Sequence, residues 1–381
     1  MTIFALAFNK TNLEQRIPLK VFLSSFSLQS EGFSKAISFS HSKEQIKPQR
    51  KFAAIAFMML MLALVLVKPA TAQTFNSGKW VPNAQVQAVA NDATYTYIGG
   101  DFTSVCPPNA RYGAKLTTTT VVPDLNFPAV NGTVNVCVPD GSGGWFIGGT
   151  FTQVGTDTRN NLARINSSGS VTSWDPNANN TINAITIDGS SIYVGGSFTS
   201  INGATTRNRL AKLNNTDGTA DATWNPNANN TVYAIAVSGS TIYVGGIFTT
   251  INGATTRNLL ARLNNTNGTA DALWNPNVNT VNTVVTTISI SGTDIYIGGS
   301  FDQIHGYPRK GLAKMLTTET SGTVDLTWAP ALQSLDTAFA IAISGSDIYV
   351  GGHFSLIYPS VRNRLAKLNN TTGAVNATWD P

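Results

Sequence analysis

The chain has 381 residues, 42% hydrophobic and only 12% charged, with a formal net charge of +5. Residues 1–72 hold nine of the Lys and Arg and three of the Glu, which leaves sixteen basic against seventeen acidic residues in the remainder. The positive excess therefore belongs to the N-terminal stretch, and residues 73–381 lack the basic footprint that phosphate recognition requires, which excludes nucleic acid as the expected partner.

Residues 52–67 form an apolar run of sixteen behind a basic stretch at 47–51. Lys68-Pro69-Ala70-Thr71-Ala72-Gln73 follows, a small-residue cleavage context, so the segment reads as a secretory signal peptide cut between Ala72 and Gln73. The run is short for a bilayer span, and the expected membrane association is confined to this leader, as a signal anchor if it stays uncut. Residues 1–46 exceed an ordinary n-region, and translation is expected to begin near residue 48. The organisation is thus an N-terminal extension and leader over 1–72 and one repeat domain over 73–381, secreted or held at the cell surface.

That domain is written in one phrase used six times. An apolar strand runs into a glycine pair, a variable residue and a phenylalanine, as at Gly195-Gly196 with Phe198 and Gly245-Gly246 with Phe248. Trp80, Trp174, Trp224, Trp274, Trp328 and Trp379 keep the same phase, with Phe127 filling the one gap. An arginine recurs as well, at Arg111, Arg159, Arg207, Arg257, Arg309 and Arg362. A period near fifty residues belongs to propeller blades rather than to short helical or leucine-rich repeats.

The unit between Trp224 and Trp274 shows how each blade is expected to fold. Residues 231–237 are apolar on both faces, which suits an inner strand sandwiched between sheets. Ser238-Gly239-Ser240 turns the chain into a second strand at 241–246, and a third follows at 258–263. The turn Asn264-Asn265-Thr266-Asn267-Gly268 then leads into a fourth strand over 270–274. The fold class is all-β: a β-propeller of four-stranded antiparallel blades with six repeats present. Counting fourth strands gives seven for six sets of the first three, so the six repeats are either a six-bladed ring with a spare strand or, the preferred expectation, part of a larger ring that continues beyond residue 381.

Particular contacts follow from this register. The glycine pair marks a bulge or a close backbone approach. Tryptophan is expected between outer strands, with cation–π stacks of Arg207 on Trp224 and Arg257 on Trp274. Cys106 and Cys137 lie in the first two repeats, where they either pair across neighbouring blades or stay as separate buried thiols.

The phrases I-Y-V-G-G-x-F-T at 242–249, R-N-x-L-A-[KR]-L at 207–213 and D-x-x-W-N-P at 221–226 resemble the delta-60 repeat family of β-propellers, a family of unknown function. The resemblance covers residues 75–381 and weakens in the first two repeats, where Phe127 replaces Trp and Cys106-Pro107-Pro108 replaces I-N-G. It implies a propeller fold and an exported or surface location. The double glycine is also similar to kelch repeats, in which the tryptophan follows much sooner.

Catalytic groups on a repeat scaffold are expected to break the repeat, because residues present in every copy serve the scaffold. After the leader the chain has a single Glu, Glu319, and most Asp residues sit at turns or three positions before Trp. His305 and His353, the two histidines beyond the leader, occupy different repeat positions, and with Asp302 they read as unrelated polar substitutions rather than a metal site or an acid–base couple. Nucleophile-elbow, zinc-protease, P-loop and dinucleotide fingerprints are absent. No cofactor or metal is expected.

What does break the repeat is the connection between strands two and three in repeats five and six, His305-Gly306-Tyr307-Pro308 and Ile357-Tyr358-Pro359, together with longer loops after Trp274 and Trp328. These place His305, Tyr307, Arg309 and Tyr358 as candidate ligand contacts on one face. The expected function is a non-enzymatic module that binds an extracellular protein or serves as a scaffold at the cell surface. A glycan-binding propeller and a propeller hydrolase or lyase are the alternatives.

Overall fold

The structure is a computed structural model and describes residues 82–92, 94–105, 111–117, 124, 127–278 and 283–381, all within one of the chain's two compact units. The leader, Trp80 and Cys106 lie outside the described residues, as do residues 279–282 of the loop after Trp274.

Six antiparallel sheets follow one another along the chain, each with three main strands. In the fourth sheet these are an inner strand Val232–Ser238, a middle strand Thr241–Gly246 and an outer strand Leu260–Asn264. Gly239 takes φ +56°, the left-handed conformation that lets a two-residue turn join inner and middle strands. The architecture is all-β and propeller-like. A fourth strand, however, is not formed among the described residues. In repeats two to six its place is held by a single bridge, such as Leu213 with Ala220 and Leu263 with Ala270. The aspartate that follows explains why. Asp271 Oδ1 accepts the N–H of Leu273 at 2.9 Å and of Trp274 at 3.1 Å, and this side-chain turn bends the backbone before a ladder extends. A second difference lies between middle and outer strands, where the chain makes a small two-stranded hairpin, for example Thr250–Ile251 with Thr255–Thr256.

The glycine pair makes both a bulge and a close approach. Val232 pairs with Gly246 and Ala234 with Gly245, so Tyr233 is left over as a bulge residue. The same shift leaves over Gln87, Asn135, Asn183, Thr286 and Phe339 in the other five sheets. A Cβ on Gly195 would lie 2.7 Å from Val232 Cγ1 of the next sheet, and one on Gly196 would overlap the carbonyl oxygen of Thr181. Neither position accepts a side chain: the next sheet blocks it at Gly195 and the sheet's own inner strand at Gly196.

Consecutive sheets stack inner strand on inner strand, and the core divides into clusters shared between neighbours. One of them joins Ala184, Tyr193 and Leu210 of the third sheet to Val232, Ile242 and Phe248 of the fourth. Stacking is obligatory because a lone three-stranded sheet would leave both of its apolar faces in water. The repeat tryptophans seal these joints. Trp224 packs edge-on against Tyr193 in the middle strand of its own repeat, centroids 5.3 Å apart, and its Nε1–H donates to the oxygen of Asn264 in the next repeat at 3.0 Å. Its position is therefore against a middle strand, not between two outer ones.

The recurrent arginine does not stack on tryptophan. Arg207 donates through Nη1 to Thr206 O at 2.7 Å and through Nη2 to Asp221 O at 2.7 Å, and Arg159, Arg257, Arg309 and Arg362 repeat the pattern. The guanidinium clamps one carbonyl of the small hairpin to one beside the aspartate turn, satisfying both. The cation over an aromatic ring comes instead from the outer strand, as with Arg262 over Trp274 at 5.6 Å. Cys137 is a free thiol buried on the inner strand Val134–Pro139, and burial pushes its pKa up.

Candidate binding face

Register decides which loops share a face. The start of each inner strand pairs with the end of the middle strand, as Val232 with Gly246, and the outer strand starts beside it, as Leu260 with Gly245. The small hairpins and the connections that follow each Trp-x-Pro therefore leave the sheets at the same end. His305, Tyr307 and Tyr358 are all on this end, in the hairpins of the fifth and sixth repeats.

Tyr358 is 72% exposed and Tyr307 40%. Between them runs the connection 331–336, tied on both sides: Leu332 N–H donates to Lys310 O at 3.0 Å, and Tyr358 N–H donates to Ala331 O at 2.8 Å. Lys310 Nζ also reaches Ser334 Oγ at 3.1 Å. The loop thus bridges the two hairpins and carries Leu335, which is 90% exposed and held at φ +76°. A leucine in the left-handed region is strained, and strain of this kind collects at functional surfaces. Sequence reasoning passed over Leu335; its signal is a second leucine in a connection that needs only Leu332 for the core, with polar residues on both sides of it.

The other candidates divide. His305 is half-buried and takes φ +52° at the turn position held by Asn202 and Asn252 in earlier repeats. Its N–H donates to Pro276 O at 2.6 Å, as Asn202 donates to Pro176 O, so the backbone role is kept. The Asn202 side chain bonds Gly218 O and Ala220 N, and the imidazole reproduces neither contact, resting 3.4 Å from Asn275 O. Arg309 is not a surface contact. It is buried, with Nη1 on Pro308 O and Nη2 on Asp325 O, and burial lowers its pKa while Asp325 opposes the shift. It is the scaffold arginine of its repeat. Among the described residues no group of three or more His, Cys, Asp or Glu comes together.

A second feature lies at the same end of the sheets. A cavity of about 720 Å³ is lined by all six bulge residues, Gln87, Asn135, Asn183, Tyr233, Thr286 and Phe339, one from each sheet. None of its lining residues carries a charge. The signal was present in the sequence. Repeats three and four agree closely over 174–223 and 224–273, yet Asn183 in one faces Tyr233 in the other.

The chain is similar to a family described as "Domain of unknown function (DUF5122) beta-propeller", whose model matches residues 140–171, 190–223 and 241–273. No curated protein matches the chain. Among solved structures, the computationally designed Ika8 protein aligns with a TM-score of 0.50 at 10% identity, over 77% of this chain and 73% of that one. The WD40 beta propeller domain of Doa1 aligns with a TM-score of 0.41 at 13% identity, over 63% of this chain and 66% of that one. At such identities the likeness concerns the fold alone.

Proposed function

We propose that this chain is an exported propeller of the delta-60 repeat type that works without catalysis, as a module binding another extracellular protein at the cell surface. The observation that carries this reading is the tied assembly of Tyr307, the 331–336 loop with Leu335, and Tyr358. Large apolar and aromatic side chains held out from a rigid sheet scaffold, with their loops cross-linked by backbone hydrogen bonds, bind with little ordering cost. Tyrosine is well suited to such a surface because it offers a broad ring and a polar tip.

Secretion rests on the leader sequence, and assignment to the delta-60 family rests on the motifs quoted above. The test is capture by the immobilised full chain from an extracellular fraction, read by mass spectrometry and repeated with Tyr307→Ala and Tyr358→Ala together. The double variant is expected to keep its melting temperature and to lose the captured protein. Unchanged capture by a folded double variant removes this face from the reading.

A further inference from the structure

We infer that the cavity lined by the six bulge residues is a binding site for a neutral sugar. The inference is independent of the hairpin tyrosines and rests on a different set of side chains. Its volume, about 720 Å³, falls within the range of small-molecule sites, roughly 300–1,000 Å³.

Three observations select the ligand class. First, the lining has no Asp, Glu, Lys, Arg or His, so a charged ligand would lose its water without gaining a counter-charge. Second, each amide is fixed by at least one donated hydrogen bond. Gln87 Nε2 donates to Asp101 Oδ2 at 2.8 Å, Asn135 Nδ2 to Ile182 O at 3.2 Å and Asn183 Nδ2 to Val232 O at 3.4 Å. This orients the side chains and leaves Gln87 Oε1 and Asn135 Oδ1 as acceptors with no protein donor among the described residues. Third, Tyr233 is 37% and Phe339 46% exposed, two aromatic rings presented to a concave site instead of being packed away.

An apolar ligand would satisfy the rings and strand the amide oxygens. A sugar meets both demands. Its hydroxyls rotate to donate to the amide oxygens, while its C–H faces lie on Tyr233 and Phe339.

The position argues in the same direction. At the bulge the backbone is constrained by the glycine pair, while the side chain stands outside the ladder and, in Asn135, Asn183 and Thr286, bonds a carbonyl of the next sheet. Three consecutive repeats place Gln, Asn and Asn there, and the next three place Tyr, Thr and Phe. A scaffold that repeats its glycines, tryptophans and arginines has thus varied the one residue that every unit sends to the cavity.

The test is saturation-transfer-difference NMR on the full chain with a panel of neutral monosaccharides, glucose, galactose, mannose, fucose, xylose and N-acetylglucosamine, at millimolar concentration. At least one sugar is expected to take up saturation on its ring protons. Phe339→Ala and Tyr233→Ala should each weaken that binding about tenfold, the effect of losing one good ring contact. Phe339→Leu, which keeps the apolar bulk without the flat ring, provides a second variant that folds if the alanine form does not, and it should weaken binding as well. The Tyr307→Ala, Tyr358→Ala pair should leave the signal unchanged. Absence of saturation across the panel overturns the inference, as does sugar binding that survives the loss of both rings or that vanishes only in the hairpin variants.

Discussion

The indole N–H of Trp224 donates to the main-chain oxygen of Asn264, 3.0 Å away across the joint between two repeats. Trp174 and Trp328 make the same bond to Asn214 and Asn369. Trp274 does not, although it is equally buried, and its Nε1 has no protein partner. The next repeat replaces the Asn264 turn with the longer run 316–322, and Leu316 O accepts instead from Glu319 N at 3.2 Å. Trp224→Phe and Trp274→Phe remove similar apolar volume, but only the first breaks a hydrogen bond; Asn264 O keeps the N–H of Gly268 at 3.0 Å. Trp224→Phe is therefore expected to cost roughly 0.5–1.5 kcal/mol more than Trp274→Phe, read as the difference in urea denaturation midpoints.

Gly195 faces Val232 so closely that a methyl group forces the third and fourth sheets apart. Gly195→Ala should destabilise by about 1–3 kcal/mol, the usual range for overpacking. Combining it with Val232→Ala opens space at the same spot, so the double variant should be more stable than the sum of the two single losses implies. Strict additivity in the denaturation cycle would mean that the sheets are not held at this distance by the glycine.

Asp140 supplies the clearest acid sensitivity. Burial pushes its carboxyl up, but the Arg164 guanidinium, 2.8 Å away, and the N–H groups of Ser142 and Gly144 more than reverse this and hold its pKa below the ordinary value. A carboxyl lowered in the folded state contributes stability that is complete above the unfolded pKa, about 3.9, and is lost as pH falls through the lower folded value. Asp140→Asn is expected to cost roughly 1.5–3 kcal/mol at neutral pH, with a difference from wild type that shrinks below about pH 4. Thermal melts of both proteins over the acid range check the sign.

Leu335 sits at φ +76°, where asparagine or glycine is more comfortable. Leu335→Asn should raise stability by about 0.5–1 kcal/mol while reducing capture of the protein partner. A variant that gains stability and keeps full capture would show the leucine to be idle.

How much of this was legible in the sequence depends on the distance over which each feature is decided. The propeller-like repeat was legible because its markers act locally: Gly239 turns a hairpin, Gly245-Gly246 forces a bulge, and Trp274 follows Asp271 by three residues. The exposed hairpin residues Tyr307 and Tyr358 were legible for the same reason, as breaks in a local pattern. The fourth strand misled because residues 270–274 have strand composition, while the Asp271 side chain bends them after one bridge. Arg207 misled because its nearness to Trp224 along the chain says nothing of where the guanidinium points, which the carbonyls of Thr206 and Asp221 decide.

By itself the sequence determined the period, the strand order and the faces that each sheet must bury, since these follow from apolar patterning and turn chemistry within about fifty residues. Only the tertiary structure decided what residues in different repeats do together. Gln87 and Phe339 line one cavity, and Lys310 and Tyr358 hold one loop between them. Those meetings depend on how each sheet is rotated against the next, and that angle is set by side chains packed across the joint, which no single repeat contains.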